Sequence, residues 1–108
     1  MNRLIVMRKN FPLRQVSLAS GNMLIGRDLD SDLFIDHPEI SRQHAEMVVV
    51  ANVVLVHDLG STNGTFVNGR KVQTQALCHN DVVRVGDTDI RYLRREPSVV
   101  ASDFMGLS

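Results

Sequence analysis

The sequence predicts an all-β fold, a sandwich of two packed sheets. Three observations carry that expectation. Short apolar runs recur along the chain and are rich in Val and Ile, which fit a pleated surface better than a helix. Clusters of Gly, Asn, Asp and Pro close these runs at short spacing, as turns between strands do. Many such runs in one small chain, with little sustained helical period, suit a sandwich better than a mixed fold.

The elements follow in order. Leu4 and Val6 alternate with Ile5 and Met7, and Val16 and Leu18 alternate with Gln15 and Ser17. A period of two puts one set of each strand on the core side. Met23 to Ile25 and Leu33 to Ile35 are short apolar runs closed by turn residues. Met47 to Val50 and Val53 to Val56 flank Ala51-Asn52, which predicts a tight hairpin. The competing reading there is a helix over Ser41 to Ala51, with Ser41 as N-cap and Ala45, Val48 and Val49 at compatible spacing. Three consecutive valines oppose it, because each loses side-chain freedom in a helix. Val82 to Val85 and Ile90 to Leu93 flank Gly86-Asp87, a second hairpin signal. In that last strand Ile90 and Tyr92 face one way, Asp89 and Arg91 the other.

A chain of 108 residues suits one domain, and a 44% hydrophobic share can fill one core. Such a domain buries roughly two-thirds of its unfolded surface. Twelve basic and twelve acidic side chains give a formal net charge of +0. Bulk charge therefore argues against nucleic acid or an anionic membrane as partner, and leaves room for a small local basic site. The single cysteine, Cys78, has no partner for an internal disulfide. Beside Leu77, it reads as a small buried hydrophobe in a reducing compartment. The apolar run at the N-terminus is four residues long, too short for a signal peptide or a membrane span. The expectation is a soluble, cytoplasmic protein, monomeric by preference. Composition changes at Glu96-Pro97, so the domain is expected over 1–95 and a flexible tail or linker over 96–108. There is no internal repeat of 20 residues or more.

Three clusters carry the chemistry. Gly26-Arg27 follows one apolar run, and Ser41-Arg42-Gln43-His44 precedes another. The third lies in DLGSTNGTFVNGR, from Asp58 to Arg70, which holds two Asn-Gly steps five residues apart. Each cluster falls at a strand end or in a loop, and the loops of a sandwich can converge at one end of it. Together they offer two guanidiniums, several hydroxyls, an amide and backbone N–H groups, with no base among them. Donors without a base suit a phosphate monoester carried on a peptide. Ser41 and His44 could be taken for a nucleophile and its base. Three residues apart on a loop, they need not face each other, and no orienting acid accompanies them.

The order GR, then SRxH, then DLxSTNGTxVNG, then a late Val85-Gly86-Asp87, resembles the forkhead-associated (FHA) domain. The likeness runs from about Arg3 to about Arg95, with no departure at a core motif position. It implies an eleven-stranded β-sandwich of the SMAD/FHA-like type, whose apical loops bind phosphothreonine in a partner protein or peptide. It further implies an upstream Ser/Thr protein kinase, no cofactor, no metal and no catalysis. On that resemblance Arg27 grips the phosphate with its guanidinium fork and Ser41 donates its hydroxyl to the same phosphate. Arg42 adds a second positive contact or binds the peptide backbone. Thr62 offers a hydroxyl or its N–H to the phosphate, and Asn63 binds the peptide main chain. Gly26 lets the chain turn beside Arg27, and His44 braces the loop that carries Ser41. Asn68 shapes its loop, while Gly64 and Gly69 suit positions of positive φ. Thr65 and Phe66 are expected at the turn and in the core respectively.

Other readings stand beside this one. Asp28, Asp30, Asp32, Asp36 and Glu39 imitate a calcium loop, but Leu33 occupies the position that needs Gly, and the flanks lack an entering helix. The plainer reading is a solvated acidic loop between two strands. His37, Glu39 and Ile40 could touch ligand residues beyond the phosphothreonine, with Glu39 favouring a basic side chain. Arg70 and Lys71 read as solvated turn residues, with ligand steering as the alternative. The competing function is a phosphate-independent interaction or self-association module, built on a sheet face or the apolar tail.

Overall fold

The computed structural model describes residues 2–94, and the tail expected over 96–108 lies outside the described residues. Eleven strands and no helix make up the described chain. They are β1 (Asn2–Arg8), β2 (Arg14–Leu18), β3 (Gly21–Gly26), β4 (Leu33–Phe34), β5 (Ala45–Val50) and β6 (Val53–Asp58). The remainder are β7 (Thr65–Val67), β8 (Arg70–Val72), β9 (Thr74–Ala76), β10 (Val82–Val85) and β11 (Thr88–Leu93). One sheet has the order β2-β1-β11-β10-β7-β8, the other β4-β3-β5-β6-β9. The pairings are antiparallel except β3 with β4, which run parallel.

Alternation decides which side chains meet between the sheets. In β1 Leu4 and Val6 are buried, and in β11 Thr88, Ile90 and Tyr92 are. The core closes around Leu4, Ile25, Leu33, Met47, Ile90 and Tyr92, each at most 1% exposed. Burying one such side chain stabilises the fold by about 1.5–3 kcal/mol. The valine-rich run at 47–50 is strand β5, not helix. Its hairpin partner β6 begins after a two-residue turn in which Ala51 has a φ of 54°.

Three expectations are corrected. Cys78 is exposed, not buried. Leu77 takes the inward place beside it, and the Cys78 N–H donates to the Asp81 carboxylate at 2.7 Å in a turn. Thr65 rather than Phe66 points into the core, because β7 has Thr65 and Val67 buried and Phe66 half-buried on the other face. Ile40 is 1% exposed, so its side chain belongs to the core and cannot touch a ligand.

Connections after β3, β4 and β6 emerge at one end of the sandwich, together with the β1–β2 and β10–β11 turns. Contacts hold them there. Arg8 of β1 bonds the Asp87 carboxylate at 3.4 Å and stacks over the Phe11 ring at 4.0 Å. Gly86 lies against Ile40, where a Cβ would meet Cγ1 at 2.7 Å. The β10–β11 turn is therefore a floor for the loop that runs from Ile35 to His44.

Candidate functional site

The strand-end backbone places the first donor. Past the last β3–β5 pair, Ile25 with Ala45, the two segments stay joined. His44 N–H donates to Ile25 C=O at 2.9 Å, Arg27 N–H to Ser41 C=O at 3.1 Å, and Asp28 N–H to Arg42 C=O at 3.2 Å. Gly26 sits in the middle of this seam, where a Cβ would lie 1.9 Å from the Arg42 carbonyl oxygen. Arg27 is thereby held beside the Ser41 loop. Its Nε donates to Ile40 C=O at 2.9 Å, which aims the guanidinium. Its two terminal nitrogens, on an exposed side chain, are left to the solvent side.

Ser41 and the Thr62 loop meet directly. Thr62 N–H donates to Ser41 Oγ at 3.0 Å. Ser41 Oγ is an acceptor in that bond, so its own proton is available to a ligand oxygen. Of the two Thr62 donors considered from sequence, the N–H is occupied here and the hydroxyl remains on the exposed side. Asn63 Nδ2 donates to Glu39 C=O at 2.8 Å, which joins the loops after β4 and β6. The amide keeps a second N–H and its oxygen for an extended ligand backbone. Arg42 is exposed alongside.

His44 is fully buried and binds backbone with both ring nitrogens. Nδ1 accepts from Ser41 N–H at 3.1 Å, so the proton is on Nε2, which donates to Gly64 C=O at 2.8 Å. Leu59 N–H donates to His44 C=O at 2.9 Å. One residue thus fixes three chain segments. Neither ring nitrogen is left to accept a proton from Ser41 Oγ.

Asp58 organises the same region, and the motif reading assigned it no role. Its Oδ2 accepts Gly60 and Ser61 N–H, each at 3.1 Å, and its Oδ1 accepts the hydroxyls of Ser61 and Thr65. Ser61 Oγ in turn accepts Gly64 N–H at 3.0 Å. The sequence signal was available: an Asp that precedes Gly and Ser by two and three residues folds as an Asx turn. Burial raises the Asp58 carboxyl, but four hydrogen bonds outweigh it and hold the group below the usual carboxylate range. A native value lowered in this way gives stability that is present above the unfolded value of about 3.9 and lost as pH falls through the native one. Asp58→Asn removes the charge and one acceptor oxygen, so at best the amide oxygen keeps the two N–H groups while its NH2 displaces the hydroxyl donors. It is expected to lower stability by about 2–3 kcal/mol and to flatten the acid limb below about pH 4, read by urea unfolding across pH. An Asn variant with the wild-type acid limb would show that another group titrates there.

The other expected positions sort as follows. Gly64 and Gly69 have φ of 93° and 85°. Asn68, φ 50°, makes a two-residue turn with Gly69 between β7 and β8, and its amide bonds Asp81 and the Val82 N–H, away from Arg27. Asn63-Gly64 joins strands of different sheets, so it is not a hairpin. His37 faces Asp87 at 3.6 Å and accepts Glu39 N–H at 3.1 Å, which sets the loop backbone, while the Glu39 side chain is exposed. In the acidic run, Asp32 caps the Leu24 N–H at 2.8 Å and Leu33 is core strand. Among the described residues no group of His, Cys, Asp and Glu could hold a metal ion. None of the described helices, of which there are none, offers a membrane span.

Comparison with known proteins follows the same lines. The family model for the FHA domain matches residues 23–86. The chain is 41% identical over 68 residues to the glycogen accumulation regulator GarA of Mycobacterium tuberculosis, across 63% of this chain and 42% of that protein. It thus spans about two-fifths of that relative's length. A solved FHA domain, studied for phosphothreonine-dependent interactions, is 32% identical with a TM-score of 0.80. That likeness covers 88% of this chain and 99% of the other. The FHA domain of FhaA, solved in complex with the intracellular domain of Rv3910, is 34% identical with a TM-score of 0.75. Here the coverage is 82% of this chain and 98% of that one.

Proposed function

Because the chain belongs to the FHA domain family, we propose that it is a phosphothreonine-dependent protein interaction module. It reads a partner phosphorylated by a Ser/Thr kinase and brings it to the protein that carries this domain. The observation that supports this most is the convergence of Arg27, Ser41 and Asn63. Each is anchored by one bond to the scaffold and keeps further donors facing solvent. The Arg27 fork and the Ser41 hydroxyl suit a tetrahedral dianion, and the Asn63 amide suits the peptide bond beside it. The phosphothreonine-dependent interactions of the solved relative lend the same support.

The site is read as non-catalytic. His44 serves as a brace, since both its nitrogens bind backbone. A kinase product made with ATP would meet this domain in the cytoplasm. Charge-assisted hydrogen bonds contribute about 1.5–3 kcal/mol each. Three or four, less the cost of association, give roughly micromolar binding, which suits a reversible switch.

The test is a titration with matched phosphothreonine, phosphoserine and unphosphorylated peptides. Phosphothreonine is expected to bind best and the unphosphorylated peptide not measurably. The second phosphate ionisation lies near about pH 6, and the dianion is the better ligand, so affinity is expected to fall as pH drops through that value. Equal binding of all three peptides would sink the proposal. Undiminished affinity at pH 5 would sink the preference for the dianion.

A further inference from the structure

Lys71 is exposed, yet its stem packs along the chain instead of standing free. It lies directly opposite Phe66 in the β7–β8 pair, on the outer face. Its stem runs over Gly64: a Cβ built there would meet Lys71 Cε at 2.9 Å, Cδ at 3.5 Å and Phe66 Cε1 at 3.3 Å. The glycine and the ring thus form a slot for the lysine chain, and the slot leads to the loop that presents Thr62 and Asn63. The missing side chain at Gly64 serves packing as well as its φ of 93°. The ammonium is on an exposed residue, and no ion pair among the described residues includes it. The carboxylates nearest in sequence are engaged elsewhere: Asp58 by four donors, and Asp81 by Asn68 Nδ2 and the Cys78 N–H.

A lysine held by its stem has already lost part of its rotamer freedom, so pairing it with an anion costs less than for a free side chain. We propose that Lys71 is a specificity residue of the phosphopeptide site, reading a second anionic group on the ligand, a carboxylate or a second phosphate. The inference rests on the phosphothreonine reading above. Arg27 serves the first phosphate, while Lys71, packed on Gly64 next in sequence to Asn63, would meet the peptide flank. Complementary charge at such a rim selects among ligands more than it adds raw affinity.

The test uses the full 108-residue chain and fluorescence anisotropy. One phosphothreonine peptide carries neutral flanks. A second set moves a single Asp through the flanks, and a third places phosphoserine at the same positions. At one position or more the anionic peptide is expected to bind about two- to five-fold tighter than the neutral parent, the range of an exposed ion pair. In Lys71→Met, which keeps the stem on Gly64, that ratio is expected to fall to about one. In Lys71→Glu it is expected to invert. Arg70→Met, at the neighbouring position on the other face of the strand, keeps the ratio. A gain with both Asp and phosphoserine assigns a carboxylate as sufficient, and a gain with phosphoserine alone assigns a second phosphate. The inference is overturned if the ratio survives Lys71→Met, or if the wild-type domain binds the neutral peptide with no anion preference at any position. A wild-type domain that binds no phosphothreonine peptide overturns the parent reading, and this one with it.

Discussion

Arg27→Ala is expected to weaken phosphothreonine-peptide binding by about 2–4 kcal/mol, roughly 30- to 1,000-fold, while leaving the fold in place. The magnitude follows from what the variant leaves behind. A bound phosphate dianion keeps the Ser41 hydroxyl and the Asn63 loop but loses its fork of charged donors. Arg27 is exposed without ligand, its backbone bond to Ser41 C=O survives the substitution, and its side chain makes one scaffold bond, from Nε to Ile40 C=O. The expected stability loss is therefore only about 1 kcal/mol. Arg27→Lys separates charge from geometry. It retains the positive charge and loses both the planar fork and the aiming bond, so it is expected to fall between wild type and Ala. Calorimetric titration beside thermal unfolding reads both effects. Binding that survives Arg27→Ala unchanged removes Arg27 from the site.

The alternation of Leu4 with Val6 and of Ile90 with Tyr92 made the long strands legible, because a two-sheet core rewards a period of two. Strand β9 was not legible. Thr74, Gln75 and Ala76 are all exposed, so the segment carries no pattern, and it is a strand only because β6 offers it an edge. Cys78 misled for a different reason: beside a buried Leu77 it looked apolar, yet it opens a turn closed by Asp81 and is exposed there. Within the site, the ordered motifs named Arg27, Ser41 and Asn63, which the fold brings to neighbouring loops. What sequence alone did not yield was the support. Ile40 acts through its carbonyl, which every residue has. Gly86 acts by giving Ile40 room, and Lys71 by lying over Gly64. Such roles arise from which loops pack together, and no side-chain chemistry announces them.

Gly26→Ala is the substitution expected to damage the fold most. The added Cβ would sit 1.9 Å from the Arg42 carbonyl oxygen and 2.8 Å from its carbon. Both atoms are backbone, so no rotamer change relieves the overlap, and the β3 end must part from the Arg42 segment by more than about an ångström. That seam is the site's foundation. Parting it stretches the bonds from Arg27 N–H to Ser41 C=O and from Asp28 N–H to Arg42 C=O, and strains the one from His44 N–H to Ile25 C=O. His44 links the same seam to Gly64, so the disturbance reaches the Asn63 loop. Overpacking alone costs about 1–3 kcal/mol, and each buried hydrogen bond lost adds about 1 kcal/mol, which gives about 3–5 kcal/mol in all. Against a total stability of about 5–15 kcal/mol for a domain, this lowers the melting temperature by more than about 10 °C. Thermal unfolding reads it directly, and phosphopeptide binding should fall in the fraction that remains folded. An Ala variant with wild-type melting would mean that β3 and the Arg42 segment are not in contact at Gly26.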